Sequence, residues 1–355
     1  MKRYVMETSP LGPSRKVKAV IRKAVKDINT LPGEGRDRLE RLFLSKYGVA
    51  KESILFANSL KELLFALCRC LRPGKILIVG PALNIYREAA KASGAVIEYL
   101  CGNEEGCSLP DMRALVEKAG GSDLVFIANP NRTSGQALSV TALTEVLDAL
   151  SLKDCVTVID EALIEFTGEE GCIRRANSRS ANGRCLGNGA AANSRNIIVL
   201  RTTAYYFGLP GLELASAVAG PKVIEALHRE LQSDPSIPAI AAARTALRDR
   251  SYRRLTEKFM KEEKGLLKKA ISRMPGIVMH DSDTNVFLLN AGGLAEEIAL
   301  KAERAGLAVE PCSDIDGLND TFLRISVMKH DHNLKLIKLL ERISMGTAEK
   351  KRSPA

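Results

Sequence analysis

The segment from Val199 to Leu214 reads V-L-R-T-T-A-Y-Y-F-G-L-P-G-L-E-L, and it carries the most information about the architecture of this chain. It begins in an apolar run of strand length, Ile197–Leu200, and ends in a second run, Leu214–Ala219. Between them, Pro210-Gly211 predicts a turn, because proline presets its own φ and glycine tolerates strained backbone. The segment therefore predicts two strands joined by a structured loop.

Further apolar runs of strand length precede this segment, and helical stretches separate several of them. Near-continuous apolar strands that alternate with helices indicate an α/β fold, with a mostly parallel sheet covered on both faces. In such sheets, ligands bind beyond the carboxyl ends of the strands. The runs are Ile76–Val79, Val96–Leu100, Leu124–Ala128 and Val156–Ile159, and the clearest helices between them are Ile85–Ala92 and Val140–Ala149.

The two ends of the chain have different patterns. Ser14 can cap a helix with an apolar stripe from Val17 to Ile28. After Pro238 the pattern predicts a long basic helix, Ile240–Met274, and then a small α+β unit of strands and helices up to Ile343. These changes predict an N-terminal segment over 1–30, a large domain over 31–240, a small C-terminal domain over 241–345 and a basic tail over 346–355. The stretch 167–195, rich in Arg, Asn, Ser, Gly and Ala, is expected to be a surface loop.

Composition limits the classes of function. The 355 residues are 45% hydrophobic, and no apolar run is long enough to span a membrane. The N-terminus lacks the apolar stretch of a signal peptide, and the eight cysteines lack CxxC spacing, so we expect a cytoplasmic protein with free thiols and no metal site. The net charge of +10 includes two short basic runs, at 15–18 and 350–352. Nucleic-acid binding on charge alone has no supporting motif, so solvated surfaces are the better interpretation.

Four segments in order resemble one enzyme family. Val199–Leu214 resembles V-L-R-S-F-T-K-F-F-A-L-P-G-L-R-L of class I/II aminotransferases, which are pyridoxal phosphate (PLP) enzymes of fold type I. Asn129–Gly135 resembles N-P-N-N-P-T-G, Asp160–Phe166 resembles D-E-A-Y-x-x-F, and Gly317–Ile325 resembles G-L-x-x-x-x-h-R-I, where h is hydrophobic. The most similar members are histidinol-phosphate aminotransferase and threonine-phosphate decarboxylase. The resemblance implies the PLP-transferase fold with a smaller α+β C-terminal domain, a homodimer, and PLP as cofactor.

Some positions keep the chemistry that this resemblance implies. Asp160 matches the carboxylate that holds the pyridine nitrogen of PLP protonated, which lets the ring act as an electron sink. Thr202 matches a phosphate-binding hydroxyl, and Asn58 lies in the turn that forms the phosphate cup. Arg324 matches the arginine that binds the substrate carboxylate through a bidentate fork.

Other positions depart from the family pattern. Tyr205 stands at the Schiff-base lysine position, so no catalytic residue is assigned, because a phenol cannot form an imine. Glu213 replaces the arginine that faces the phosphate, and Arg132 replaces the asparagine that contacts the ring hydroxyl. Leu163 replaces a tyrosine that shares this hydroxyl, and Leu83 falls where an aromatic side chain would stack on the ring.

Two functions of different classes remain open. The losses at one cofactor site favour a protein that has lost standard PLP chemistry and has a binding or regulatory role. The alternative is an active aminotransferase or amino-acid-phosphate decarboxylase with unusual residues. No lysine lies between 154 and 221, and Lys61 and Lys222 are the first candidates for a relocated Schiff base.

The altered cleft leads to two expectations about its own contents. We expect Arg132 and Glu213 to form an ion pair across the cofactor space, which would need no ligand. In the alternative, Arg132 and Lys61 together hold a small anion other than PLP.

Overall fold

The computed structural model describes residues 6–102, 109–169, 171–175, 196–231 and 233–350, with backbone alone at Val140, 174–175 and 346–350. Most of the predicted loop 167–195, part of the basic tail and the first five residues therefore lie outside the described residues. In the described part of the chain, no helix combines the length and apolar character needed to cross a membrane. Those residues also contain no cluster of His, Cys, Asp and Glu side chains suited to a metal ion.

The large sheet has seven strands and confirms the predicted α/β architecture. Its spatial order is β1-β7-β6-β5-β4-β2-β3. The strands from β2 to β6 pair in parallel, and β7 is antiparallel to both of its neighbours. The strands are β1 Ile54–Ala57, β2 Lys75–Val79, β3 Val96–Leu100, β4 Leu124–Ala128, β5 Val156–Asp160, β6 Ile197–Thr202 and β7 Ala215–Val218.

Helices cover both faces of this sheet, with a buried apolar core on each side. The apolar runs recognised in the sequence lie between these two cores. In the central strands β4 and β6, every residue is buried. The helices up to the small sheet are α1 Arg15–Ala24, α2 Glu34–Tyr47, α3 Leu60–Leu71, α4 Asn84–Ala92, α5 Met112–Ala119, α6 Val140–Ser151, α7 Gly171–Arg175, α8 Pro221–Glu230, α9 Ile237–Arg248 and α10 Arg250–Ile271.

Two predicted helices differ from the observed ones. The helix expected over Ile240–Met274 is two helices, because Asp249 leaves the helical conformation and its carboxylate caps α10 by accepting a hydrogen bond from the Tyr252 amide. The helix after Ser14 ends at Ala24, and Ile28 at the end of the predicted apolar stripe is 64% exposed. Strand β1 was absent from the prediction, since four apolar residues at a sheet edge leave only a short signal.

The small sheet has four antiparallel strands in the order β10-β11-β9-β8. They are β8 Val278–Met279, β9 Val286–Asn290, β10 Val309–Pro311 and β11 Phe322–Ser326, and they pack with α11 Ala295–Arg304 and α12 His330–Lys350. This arrangement confirms a smaller α+β unit after the large sheet. The exact division of the chain into domains remains a prediction.

The N-terminal segment lies across the loop that follows β6. The Ser9 amide donates to the Tyr205 carbonyl at 2.9 Å, and the Tyr252 hydroxyl donates to the Gly12 carbonyl at 2.8 Å. Gly208 adopts a φ of +67°, and a Cβ atom there would lie 2.5 Å from the Gly12 carbonyl carbon. This backbone approach holds the segment, and with it Glu7, over the carboxyl ends of the strands.

We therefore predict that Gly208→Ala lowers the free energy of unfolding by about 2–4 kcal/mol. Alanine would have to adopt a left-handed backbone conformation, and its Cβ atom would collide with the main chain of Gly12. Gly211→Ala is the matched control, because a Cβ atom there meets nothing within 4 Å and its φ is not in the left-handed region. Urea unfolding midpoints of the two variants check the prediction. Equal stability of the two variants would show that the approach of Gly12 to Gly208 is not required.

Candidate functional site

The central side chains of the site lie at the carboxyl ends of three neighbouring parallel strands, β4, β5 and β6. Asp160 is the last residue of β5, Arg132 lies in the loop after β4, and Tyr205 lies in the loop after β6. Arg132 Nη2 donates to the Tyr205 hydroxyl at 2.6 Å, and Arg132 Nη1 lies 3.5 Å from Asp160 Oδ2. The Arg132 guanidinium also lies over the Tyr205 ring, 5.0 Å from its centroid. The structure thus brings these three predicted site residues together at one edge of the sheet.

A hydrogen-bonded turn directs Arg132 into the protein. Asn131 Oδ1 accepts from the amides of Thr133 and Ser134, both at 2.9 Å. Asn131 Nδ2 donates to the Pro81 carbonyl at 2.9 Å, which ties the turn to the loop after β2. The turn follows from the sequence, because asparagine side chains readily bond backbone amides two and three residues ahead.

The Asp160 carboxylate is satisfied by the protein itself. Its Oδ2 accepts from the Tyr86 hydroxyl at 2.6 Å, and its Oδ1 accepts from the Ala162 amide at 2.8 Å. Burial, followed by the charge of Asp160, raises the pKa of Tyr86 well above its ordinary value. Tyr86 therefore remains a protonated donor and holds this carboxylate in place.

One carboxylate from the N-terminal segment joins two buried arginines. Glu7 Oε1 lies 3.2 Å from Arg132 Nη2 and 3.3 Å from Arg324 Nη2. Burial alone would raise the pKa of Glu7, but the charges of Arg132 and Arg324 outweigh it and lower the pKa below its ordinary value of 4.5. Arg324 also donates to the Arg132 carbonyl at 3.1 Å and pairs with Glu310 at 2.8 Å. Arg324, predicted to bind a substrate carboxylate, here binds carboxylates of the protein.

Glu213 lies at the N-terminus of α3, and the expected ion pair between Arg132 and Glu213 is wrong. Glu213 Oε1 accepts from the Leu60 amide at 3.0 Å and from the Thr202 hydroxyl at 2.9 Å. Unpaired amides and the helix dipole favour an anion at this end of a helix. Burial raises the pKa of Glu213 from its ordinary value, although both of these hydrogen bonds oppose the shift. Glu213 therefore bonds an amide and a hydroxyl of the predicted phosphate cup.

The remaining predicted residues lie outside this cluster. Asn58 donates its side chain to Ser233 at 3.1 Å, and its amide donates to Glu62 in the cap of α3. Lys61 pairs with Glu88 at 2.8 Å on the surface, with both side chains more than half exposed. The expectation that Lys61 and Arg132 hold one anion is therefore wrong for this structure. Leu163 is fully buried, Leu83 is partly buried, and Lys222 is exposed at the start of α8.

Sequence reasoning missed Glu7 and Tyr86. Glu7 contacts Arg132, 125 residues further along the chain, and no local pattern indicates such a contact. Tyr86 lies on the buried face of α4, where its ring packs against Phe126. In the sequence it therefore looks like an apolar core residue, and its hydrogen bond to Asp160 could not be predicted. The only usable signal for Tyr86 is a polar group on a buried helix face, because such a group normally has a partner.

The residues present do not fit PLP. The cofactor needs an amine at the Tyr205 position, and burial raises the pKa of that phenol, so a neutral hydroxyl remains. A carboxylate, Glu213, lies where donors should face the cofactor phosphate. Arg132 bridges Tyr205 and Asp160, so the chain's own groups connect the two positions that the cofactor would link. We therefore derive no chemical step through this cofactor.

Comparisons with known proteins define the class. The crystal structure of histidinol-phosphate aminotransferase from Clostridium acetobutylicum superposes with a TM-score of 0.82 at 21% identity, covering 97% of this chain and 99% of that chain. The same enzyme from Sinorhizobium meliloti, solved in complex with pyridoxal-5'-phosphate, gives a TM-score of 0.77 at 18% identity over 96% and 90%. The architecture is therefore that of fold-type-I PLP enzymes.

Sequence comparison then identifies the family. The model for aminotransferase class I and II matches residues 9–340, and the chain belongs to this family. Histidinol-phosphate aminotransferase 2 of Archaeoglobus fulgidus is 27% identical over 343 residues, which covers 94% of this chain and 91% of that protein. Proteins named threonine-phosphate decarboxylase are also among the matches, so the resemblance inferred from the four segments is confirmed.

The buried carboxylate of Glu7 leads to a prediction about stability. Because folding lowers its pKa below 4.5, its stabilising effect is full above that pH and is lost as the pH falls through the lower folded value. Glu7→Gln should therefore lower the free energy of unfolding by about 3–5 kcal/mol at neutral pH, since it leaves buried guanidinium groups without their carboxylate. The deficit should shrink as the pH falls below 4.5 and through the lower folded value, where the wild type loses the same charge.

Glu88→Gln is the control for this prediction, because the exposed pair of Glu88 with Lys61 should contribute only about 0–1 kcal/mol. Chemical unfolding of both variants and the wild type at neutral pH and at a series of pH values below 4.5 measures the difference. A Glu7→Gln deficit as small as that of Glu88→Gln would contradict the buried pair.

Proposed function

We propose that this chain has lost standard PLP catalysis and acts as a binding or regulatory protein on an aminotransferase fold. The observation that carries the proposal is the contact between Tyr205 and Arg132. The residue at the Schiff-base position is a neutral phenol that accepts a 2.6 Å hydrogen bond from a buried guanidinium. Neither group can form a covalent bond to an aldehyde in the way a lysine amine does. By analogy with the family, we also expect a homodimer located in the cytoplasm.

Charge at the phosphate position supports the same proposal. Two unit charges about 4 Å apart interact by about 4 kcal/mol at an effective dielectric constant of 20. A glutamate in place of an arginine therefore turns an attraction for the cofactor phosphate into a repulsion. Protonated Glu213 would remove the repulsion but would still occupy the Leu60 amide and the Thr202 hydroxyl. In either protonation state, the phosphate loses donors that the fold would otherwise offer.

The second candidate is an active aminotransferase or amino-acid-phosphate decarboxylase that uses unusual residues. Retention of Asp160, Thr202 and Arg324 favours it, because these three groups serve the pyridine nitrogen, the phosphate and the substrate in the family. The present partners of these three residues argue against this candidate, because each residue already bonds another group of the protein. Covalent capture of PLP separates the two candidates.

We predict that purified protein mixed with PLP and treated with borohydride carries no stoichiometric adduct on any cleft residue. The measurement is an absorbance spectrum before reduction and peptide mapping by mass spectrometry after it. Scattered, substoichiometric labelling of exposed lysines is expected, because any accessible amine reacts weakly with an aldehyde. One lysine labelled at full stoichiometry, Lys61 for example, would overturn the proposal in favour of the second candidate.

We further predict that Tyr205→Lys alone does not produce a PLP-dependent absorbance band or transaminase activity. Glu213 would still occupy the N-terminus of α3, and Arg132 would face a new cation in place of the phenol. The variant Tyr205→Lys with Glu213→Arg should capture PLP better than either single variant, because it restores both the amine and the phosphate-facing charge. Spectral titration with PLP ranks the three proteins, and capture by Tyr205→Lys alone equal to that of the double variant would show that Glu213 does not block the phosphate.

A further inference from the structure

Three helices that cover the large sheet carry basic side chains on one surface. Helices α1 and α2 both pack against α9, and the Lys16 amine at the start of α1 lies 3.0 Å from the carboxylate of Asp249, which follows α9. The basic residues that remain exposed or partly exposed on these helices come from three separate parts of the chain. We name their surface the cationic face, and it consists of Arg15, Lys18 and Arg22 of α1, Arg38 and Arg41 of α2, and Arg244 and Arg248 of α9.

Helical spacing and mutual repulsion both indicate that these residues are neighbours. The three basic residues of α1 follow one another at intervals of three and four positions, so they lie on one side of that helix. Arg244 and Arg248 are related in the same way on α9. Burial, followed by the charges of Arg38 and Arg248, lowers the pKa of Arg244. Arginines of α2 and α9 are therefore close enough to repel one another.

Most of the charge on the cationic face is not neutralised by the chain itself. Arg38 pairs with Glu34 at 2.6 Å, and both of these side chains are more than half exposed, so water screens the pair. In the part of the chain that the structure describes, the other six residues of the face have no ion-pair partner. Like charges gathered on neighbouring helices repel one another in the folded state. An external polyanion would remove that repulsion.

The residue types of the face favour a phosphodiester backbone as the partner. All but one of the seven basic residues are arginines, and a planar guanidinium group can bind two phosphate oxygens through parallel hydrogen bonds. Small or polar side chains stand beside them, Ala19, Ser45 and Thr245 among others. A membrane surface would instead favour large apolar side chains among the basic ones. The exposed Ile28 and Leu31 lie beyond the end of α1, outside the three helices.

The same face offers no ring on which a base could stack. The aromatic residues of α2, Phe43 and Tyr47, are buried, and α1 and α9 contain none. Single-stranded nucleic acid is usually held by stacking of its bases on aromatic side chains, whereas a duplex presents one negative charge per about 1.7 Å of its axis. Helices packed about 8–10 Å apart give the face a width of about 20 Å, which spans roughly a dozen of these charges. A duplex therefore fits the face better than a single strand.

We propose that the cationic face of α1, α2 and α9 binds the phosphate backbone of duplex nucleic acid without reading its sequence. The basic run at 15–18 alone indicates only a solvated helix face, but folding adds the arginines of α2 and α9 to it. This inference goes beyond the proposed function and does not depend on the state of the cofactor site. None of the seven residues belongs to the loops after β4, β5 and β6 that carry that site.

The test measures duplex binding together with its salt dependence. Wild-type protein is titrated into a fluorescein-labelled DNA duplex and into an RNA duplex of the same sequence, at salt concentrations between about 50 and 200 mM, and fluorescence anisotropy reports binding. We expect a Kd of about 10⁻⁴–10⁻⁶ M at physiological salt, and the logarithm of the affinity should fall linearly with the logarithm of the salt concentration. Both duplexes should bind, because phosphate contacts carry no sequence information.

A variant with one change on each helix locates the site. Arg22→Gln, Arg41→Gln and Arg248→Gln together should weaken binding about tenfold or more and reduce the salt slope by about 2–3, roughly one unit for each lost phosphate contact. The same three positions changed to lysine keep their charge and should keep the slope of the wild type. Circular dichroism spectra and melting temperatures show that each variant is folded.

The matched control removes the same charge elsewhere, with Lys91→Gln on α4 and Lys335→Gln and Lys338→Gln on α12, all at exposed positions. It should leave the salt slope unchanged. Absence of salt-dependent duplex binding by the wild type, or equal losses in the control and the triple arginine-to-glutamine variant, overturns the proposal. Binding to phosphatidylserine vesicles through the same arginines, with no binding to either duplex, also overturns it and identifies a membrane surface instead. None of these measurements involves PLP, so their failure leaves the proposed loss of catalysis unaffected.

Discussion

The guanidinium of Arg132 is shared by the Tyr205 hydroxyl, the Asp160 carboxylate and the Glu7 carboxylate, and it is almost completely removed from water. A buried cation with too few anionic partners would cost several kcal/mol, so the positions of its neighbours are constrained by it. The loop after β4, the end of β5, the loop after β6 and the N-terminal segment all meet at this one group. Removal of any of these partners changes the electrostatic balance of the others.

The cleft also shows how a change of charge can be accommodated without a change of fold. At the N-terminus of α3, the family resemblance implies a bound phosphate, and here a glutamate side chain accepts hydrogen bonds from the amide and the hydroxyl instead. A helix N-terminus accepts either anion, because both satisfy the same free amide groups. The arginine pair is neutralised in a related way, by Glu7 from the same chain. The protein thus carries internal carboxylates near places where its relatives are expected to bind external anions.

Much of the fold could be predicted because its signals are local. The apolar runs of β2 to β7 were recognised, most clearly in the interior of the sheet, since strands buried on both faces are apolar at nearly every position. The edge strand β1 is four residues long and has one partner, so its signal was too short. The break between α9 and α10 was missed because the Asp249 carboxylate can cap α10 only where the backbone of Asp249 leaves the helical conformation, and side-chain periodicity does not report that change. For the site, motif order identified Asp160, Arg132, Tyr205 and Arg324, whereas the partner of Glu213 was predicted incorrectly.

The sequence by itself determined the family, the order of the strands along the chain and the residue types at each position of the cofactor site, including the tyrosine in place of lysine. These features depend on composition and spacing along the chain. Only the tertiary structure decided which charges meet. Glu213 pairs with α3 rather than Arg132 because free amides at a helix end attract a carboxylate, and Glu7 reaches Arg132 and Arg324 because Gly12 packs on Gly208 and holds the N-terminal segment over the sheet. Ion pairs form between groups that folding brings within a few ångströms, and no pattern along the chain encodes that distance.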